Sequence, residues 1–239
     1  MRIKVVSWNI WLGKHYWQVL DFLREQNSDI IGLQELEADT DRDQAGQIAG
    51  ELGYQYVFYP SFEGTVNTGK GDAVLSRYPI LNSRRHFLSP SVDYDSTPTT
   101  EPRIAVEASV SIDDSTLTVY STHLAYAAHF APSPAQAAQA EALASLVRGR
   151  EKVVLMGDLN SLPESDTVKT LTSILRHADS NLSAPTFTMY PHEYQDHKSA
   201  DLRDRVDYIF TSIDLRVIDA GVGMSLGSNH LPVWAILDG

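Results

Sequence analysis

Ten short apolar runs punctuate this chain, and polar side chains of catalytic type stand at or near the ends of most of them. The runs span residues 3–8, 30–33, 54–59, 73–76, 104–110, 117–122, 153–156, 206–210, 215–218 and 232–237. They are rich in β-branched and aromatic residues, which favour half-buried pleated strands. Four stretches of helical spacing lie between them, at 16–26, 42–52, 134–148 and 166–176. Many strands with few helices predict two sheets packed face to face with helices outside. No repeat, linker or composition break divides the chain, so residues 1–239 are read as one domain. The chain's 239 residues are enough to bury a sizeable core.

The chain contains no cysteine. That excludes disulfides, thiolate zinc sites and cysteine nucleophiles together. A metal site here has to use carboxylate, amide and imidazole groups, which suit a hard cation such as magnesium or manganese. The net charge of -12 disfavours a broad electrostatic grip on nucleic acid. No apolar run reaches membrane-spanning length, and the N-terminus enters a strand pattern directly without a signal-peptide core. A cytoplasmic monomer is expected.

Two local motifs mislead. Gly223-Met224-Ser225-Leu226-Gly227 matches a nucleophile elbow, but only twelve residues follow it and the later acid, Asp238, comes after His230 instead of before it. Gly64 to Lys70 nearly matches a phosphate-binding P-loop. Gly71 replaces the hydroxyl residue, and a strand-like run follows where a helix is needed. The stretches 83–102 and 179–205 lack periodicity and read as long loops able to shape a pocket.

The polar residues at strand ends carry the chemistry. In chain order they stand in Ser7-Trp8-Asn9, Leu33-Gln34-Glu35, Gly71-Asp72-Ala73, Ser121-Thr122-His123-Leu124, Gly157-Asp158-Leu159-Asn160, Arg205-Val206-Asp207-Tyr208 and Ser228-Asn229-His230-Leu231-Pro232. Singly, each has a plain explanation as a cap, a turn or a structural histidine. Together and in this order they resemble the endonuclease/exonuclease/phosphatase superfamily from Asn9 to His230.

The resemblance implies a four-layered α/β/β/α sandwich of DNase I-like type, with two mostly antiparallel sheets. It also implies metal-assisted hydrolysis of a phosphoric ester. Carried over by position, Glu35 resembles the magnesium ligand, with Asn9 beside it on metal or phosphate. Asp158 and Asn160 resemble the pair that orients water and scissile phosphate. His230 resembles the general base and Asp207 its orienting carboxylate. His123 resembles the second histidine, on a phosphoryl oxygen or the leaving group. Arg103 is a further candidate for the phosphate. Tyr126 and His129 line the pocket or pack beneath the next helix, and Asp72 bonds His123 or a loop.

One departure stands out. The superfamily's usual Ser-Asp-His is here Ser228-Asn229-His230. Asn229 can still coordinate a metal through its carbonyl oxygen but adds no charge, so a single tightly bound cation is expected. The substrate stays open: a small molecule, a lipid head group or nucleic acid. A phosphodiesterase or phosphomonoesterase is the first reading and a nuclease the second. A catalytically silent binding protein is the alternative of another class. Local basic residues Arg84, Arg85, Lys198, Arg203 and Arg205, and aromatics Phe187, Tyr190 and Tyr194, are available for recognition or for loop packing.

Overall fold

The computed structural model describes all residues except 1, 40, 42, 63–68, 90–101 and 195–196. Residues 64–68 of the near P-loop and most of the 83–102 stretch therefore lie outside the described residues, as does the side chain of Tyr194.

Two six-stranded mixed sheets form the centre. The first contains β1 (Arg2–Asn9), β2 (Ile30–Ala38), β3 (Gln55–Pro60), β4 (Gly69–Ser76), β13 (Arg216–Val222) and β14 (Val233–Asp238), in the order β13-β14-β1-β2-β4-β3. The second contains β5 (Ile80–Phe87), β6 (Ile104–Ile112), β7 (Ser115–His123), β8 (Val153–Asp158), β9 (Arg176–His177) and β12 (Asp207–Thr211), in the order β5-β6-β7-β8-β12-β9. Period-two burial explains the facing: Ile104, Val106, Ala108, Val110 and Ile112 of β6 all enter the core between the sheets. Helices α1 (Tyr16–Gln26) and α2 (Gln44–Leu52) cover the outer face of the first sheet. Helices α3 (Pro134–Val147) and α4 (Asp166–Thr172) cover the second. The result is the expected α/β/β/α sandwich. Among the described residues, no helix is long and apolar enough to cross a membrane.

Local chemistry sets the helix ends. The Asp43 side chain accepts from the Gly46 N–H at 2.9 Å, and Ser133 caps α3 with Pro134 in its first turn. Helix α4 stops short of its expected end because Arg176 and His177 pair with β12 as strand β9. Residues 83–87, expected in a loop, belong to edge strand β5; exposed Leu81, Asn82 and Arg84 hide its pattern. The 179–205 stretch carries a small hairpin of its own, β10 (His192–Tyr194) and β11 (His197–Ser199). The elbow-like Gly223 to Gly227 is a loop with no helix after it.

Each sheet holds one parallel pair at its centre, β1 with β2 and β7 with β8. In the registers, Asn9 lies opposite Gln34, and Asp158 lies between His123 and Asp207. The polar residues that end these strands therefore converge on one rim.

Candidate active site

Backbone geometry aims each group. The ladder between β2 and β4 slips between Leu33 and Leu36, and Glu35 sits inside that bulge at φ 56°. A bulge adds a residue and redirects its side chain, and here it turns the Glu35 carboxylate into the cavity, which it lines. Gln34, fully buried beside it, donates to Ser7 Oγ at 3.3 Å and Ser121 Oγ at 3.0 Å, joining the two sheets. At Gly157 a Cβ would stand 1.9 Å from the Thr122 carbonyl oxygen, so only glycine lets β7 and β8 approach here. Asn160 lies at φ 47°, and its N–H donates to Asp158 Oδ1 at 2.8 Å. The turn explanation for Asp158 and Asn160 thus holds together with their place at the site.

Asn9 Nδ2 donates to Glu35 Oε1 and to Asp158 Oδ2, both at 3.1 Å. Its carbonyl oxygen accepts the Trp11 N–H at 3.0 Å, which fixes the amide orientation. Asn9 therefore turns a donor toward the carboxylates. That face suits a carboxylate or phosphoryl oxygen, not the cation that the sequence reading also placed on it.

His230 Nδ1 lies 2.9 Å from Asp207 Oδ2, and its Nε2 lies 3.7 Å from Asp158 Oδ2. Burial pushes this imidazole down, but the Asp207 and Asp158 carboxylates outweigh it and carry it up to about 9. Burial pushes the Asp158 carboxyl up as well, against the pull of His230. The loop before β14 is tied to β1: Ser228 Oγ donates to the Asn9 carbonyl at 2.7 Å, and Trp8 Nε1 donates to the His230 carbonyl at 2.8 Å.

His123 behaves in the opposite way. Burial first, then the Arg103 and His230 charges, hold it well below the usual imidazole range, so it is neutral. Asn160 Nδ2 donates to the Leu124 carbonyl at 3.0 Å and lies 2.9 Å from His123 Nε2. A carbonyl can only accept, so that nitrogen is the NH2 group and His123 Nε2 is an acceptor. The His123 proton is then on Nδ1, 3.9 Å from Glu35 Oε1.

The sequence profile described as the Endonuclease/Exonuclease/phosphatase family matches residues 6–230. The chain belongs to this family. No curated protein sequence matches the chain. Among solved structures, it is similar to a mannosyl-6-phosphatase from Bacteroides thetaiotaomicron (19% identity, 99% of this chain, 100% of that one, TM-score 0.75). It is also similar to the human Nocturnin catalytic domain with bound sulfate (22% identity, 99% of this chain, 94% of that one, TM-score 0.74). A third is D. rerio TDP2 with a single-stranded DNA product (15% identity, 100% of this chain, 99% of that one, TM-score 0.73). At these identities the likeness is one of fold. Members of this family are usually phosphoester hydrolases and typically use divalent metals.

In this family member Glu35, Arg103, His123, Asp158, Asn160, Asn229 and His230 all line one cavity of about 300 Å³, with Asp207 directly behind His230. Asp72 and Tyr126 line it too, while His129 does not. Asn229 accepts from Ser228 Oγ at 3.3 Å and turns its Nδ2 toward His192 Nδ1 at 3.4 Å. Arg205 is not available to substrate: it is buried and bound to Asp179 at 3.0 Å. Sequence reasoning missed Trp11, Leu12, Lys70, Phe130 and His192 on the cavity wall. All five stand in or beside loops, and only their irregular surroundings hinted at a pocket.

Two groups of acidic and imidazole side chains invite a cation. Atoms of Asp158, Asp207 and His230 come within 4.8 Å of one another, but His230 already stands between those carboxylates as their partner. The Glu35 side offers a partly exposed carboxylate facing the cavity, with Asp158 reached through the same Asn9 amide. These hard oxygen donors fit a divalent cation of the magnesium type.

Proposed function

We propose that the chain, acting as a single domain, hydrolyses a phosphoric ester with the help of one divalent cation, magnesium or manganese. The observation that carries this reading is the placement of two buried imidazoles, His123 and His230, with Nε2 atoms 3.3 and 3.7 Å from Asp158 Oδ2 in one cavity. Pairs of titratable groups pushed in opposite directions mark acid and base positions.

Glu35 and Asp158 would hold the cation. Bound there, it would neutralise charge on the phosphoryl oxygens. In its neutral form His230 accepts a proton at Nε2 from the attacking water, and as the resulting imidazolium it stabilises the charge that develops on phosphorus-bound oxygen. Asp207 holds the His230 ring and tautomer through Nδ1. The Asn9 amide holds the Glu35 and Asp158 carboxylates, and the Asn160 amide holds His123 at Nε2. Arg103 adds a positive charge to the same cavity.

Hydrolysis of bis-p-nitrophenyl phosphate and p-nitrophenyl phosphate, with and without magnesium, tests the proposal. Cation-dependent turnover that Glu35→Gln abolishes is the expected result. No turnover on either ester, or on a panel of DNA, inositol phosphates and sphingomyelin, would leave a silent binding protein instead. Calorimetry is expected to find one tight magnesium site, and two equally tight sites would contradict the role given to Asn229.

A further inference from the structure

The cavity has an aromatic wall whose rings hold one another. Phe130, just after β7, meets Phe187 edge to face at 5.6 Å. Phe187 meets His192 of the small hairpin at 5.5 Å and lies 4.8 Å from the His230 ring. His192 meets Trp11, just after β1, at 6.3 Å. Trp11 stacks on Tyr190 at 5.9 Å, and Tyr190 stacks on His15, the residue that precedes α1, at 5.2 Å. The Tyr190 hydroxyl is also anchored to the Leu226 carbonyl at 2.7 Å. This row crosses from the loops of the second sheet to those of the first, and its Phe187 ring packs beside the candidate base.

Resting on the phosphoric-ester reading above, we propose that this ring row is a size filter that restricts the site to small, monomeric phosphoric esters. Three observations point the same way. The cavity volume of about 300 Å³ is at the small end of ligand pockets. Binding of single-stranded nucleic acid needs open ring faces on which bases stack and a basic groove. Here Trp11 is engaged by Tyr190 and by the Lys14 ammonium, 3.6 Å from the ring centre, and the chain carries a net charge of -12. Finally, the ring contacts join three segments outside the two sheets into one continuous wall beside the site. Steric exclusion of this kind sets specificity by penalising the larger ligand. Tyr190 holds the wall without lining the cavity, so it acts as a positioning residue.

The test measures kcat/KM and calorimetric affinity for phenyl phosphate and for a single-stranded thymidine oligonucleotide. Wild type is expected to favour phenyl phosphate by at least about tenfold, and Tyr190→Ala to reduce that preference at least about fivefold by gaining on the oligonucleotide. Tyr190→Phe, which keeps the rings, should behave as wild type. His15→Ala removes only the outermost ring and should give a smaller shift of the same sign, including where Tyr190→Ala does not fold. Equal treatment of both ligands by wild type overturns the filter, and so does an unchanged preference in folded variants that break the row. A wild type that prefers phenyl phosphate in binding yet hydrolyses neither supports the filter, and failure of the hydrolase reading is recognised separately, by no turnover across the ester panel above.

Discussion

His230 and Asp207 face each other at 2.9 Å between Nδ1 and Oδ2, and Asp207 is fully buried. The second oxygen of Asp207 has no partner among the described residues, so this carboxylate is committed to His230. Asp207→Asn is expected to lower kcat by about a thousandfold with little change in KM, because it removes the acceptor that selects the His230 tautomer. With that carboxylate gone, the His230 titration moves down from about 9, which NMR of the ring protons would follow. Near-normal turnover in this variant would separate the two residues functionally.

Gly157 admits no side chain. A methyl group there meets the Thr122 carbonyl oxygen at 1.9 Å, and that oxygen belongs to the strand delivering His123. Gly157→Ala should cost about 3 kcal/mol in urea unfolding, through overpacking and a shifted ladder. A loss below about 0.5 kcal/mol would mean that β8 can move away freely.

Arg205 and Asp179 form a buried ion pair at 3.0 Å, and Arg205 Nε also donates to the Asp207 carbonyl at 2.9 Å. Removing one partner of a buried pair strands the other charge, so Arg205→Ala should destabilise by about 3–5 kcal/mol. The double variant with Asp179→Asn should recover part of that loss. Strict additivity in a double-mutant cycle would argue against the pairing.

His177 gives the fold an acid-sensitive point away from the cavity. Burial and the nearby Arg205 charge lower it from 6.5 to about 4, and its ring packs edge to face on Tyr208 and Phe210. Above pH 6.5 it is neutral folded or unfolded, so the full stability is present. Between pH 6.5 and 4 the unfolded chain takes up the proton and the folded one does not, so stability falls as pH falls. The loss reaches up to about 3 kcal/mol at 1.36 kcal/mol per pH unit. In His177→Phe the pH dependence of unfolding over this range should flatten, as equilibrium denaturation at several pH values would show.

The run at 104–110 and the spacing of α1 were readable because burial on one face imposes a period of two or 3.6, and Val153 to Met156 because a strand buried on both faces is apolar throughout. The ordered polar residues at strand ends were readable for a related reason: a core strand that surfaces must end in groups that tolerate water. Edge strand β5 and the His192 hairpin were not readable. Half-exposed edges carry little apolar pattern, and a two-stranded ribbon has no core of its own.

Residue identity and order were enough to indicate the sandwich and the polar residues that converge on its rim. Register and close packing decided the rest. They place Asp158 between two strands bearing His123 and Asp207, turn the Asn9 NH2 group toward Glu35, withdraw Arg205 into the core and pack the Phe187 ring beside His230. These outcomes depend on contacts between residues far apart in the chain. Asn9 and Asp158 meet across 149 positions, and Trp8 and His230 across 222. Local periodicity reports which face of an element is buried, and only the folded arrangement of elements determines which distant side chain it meets.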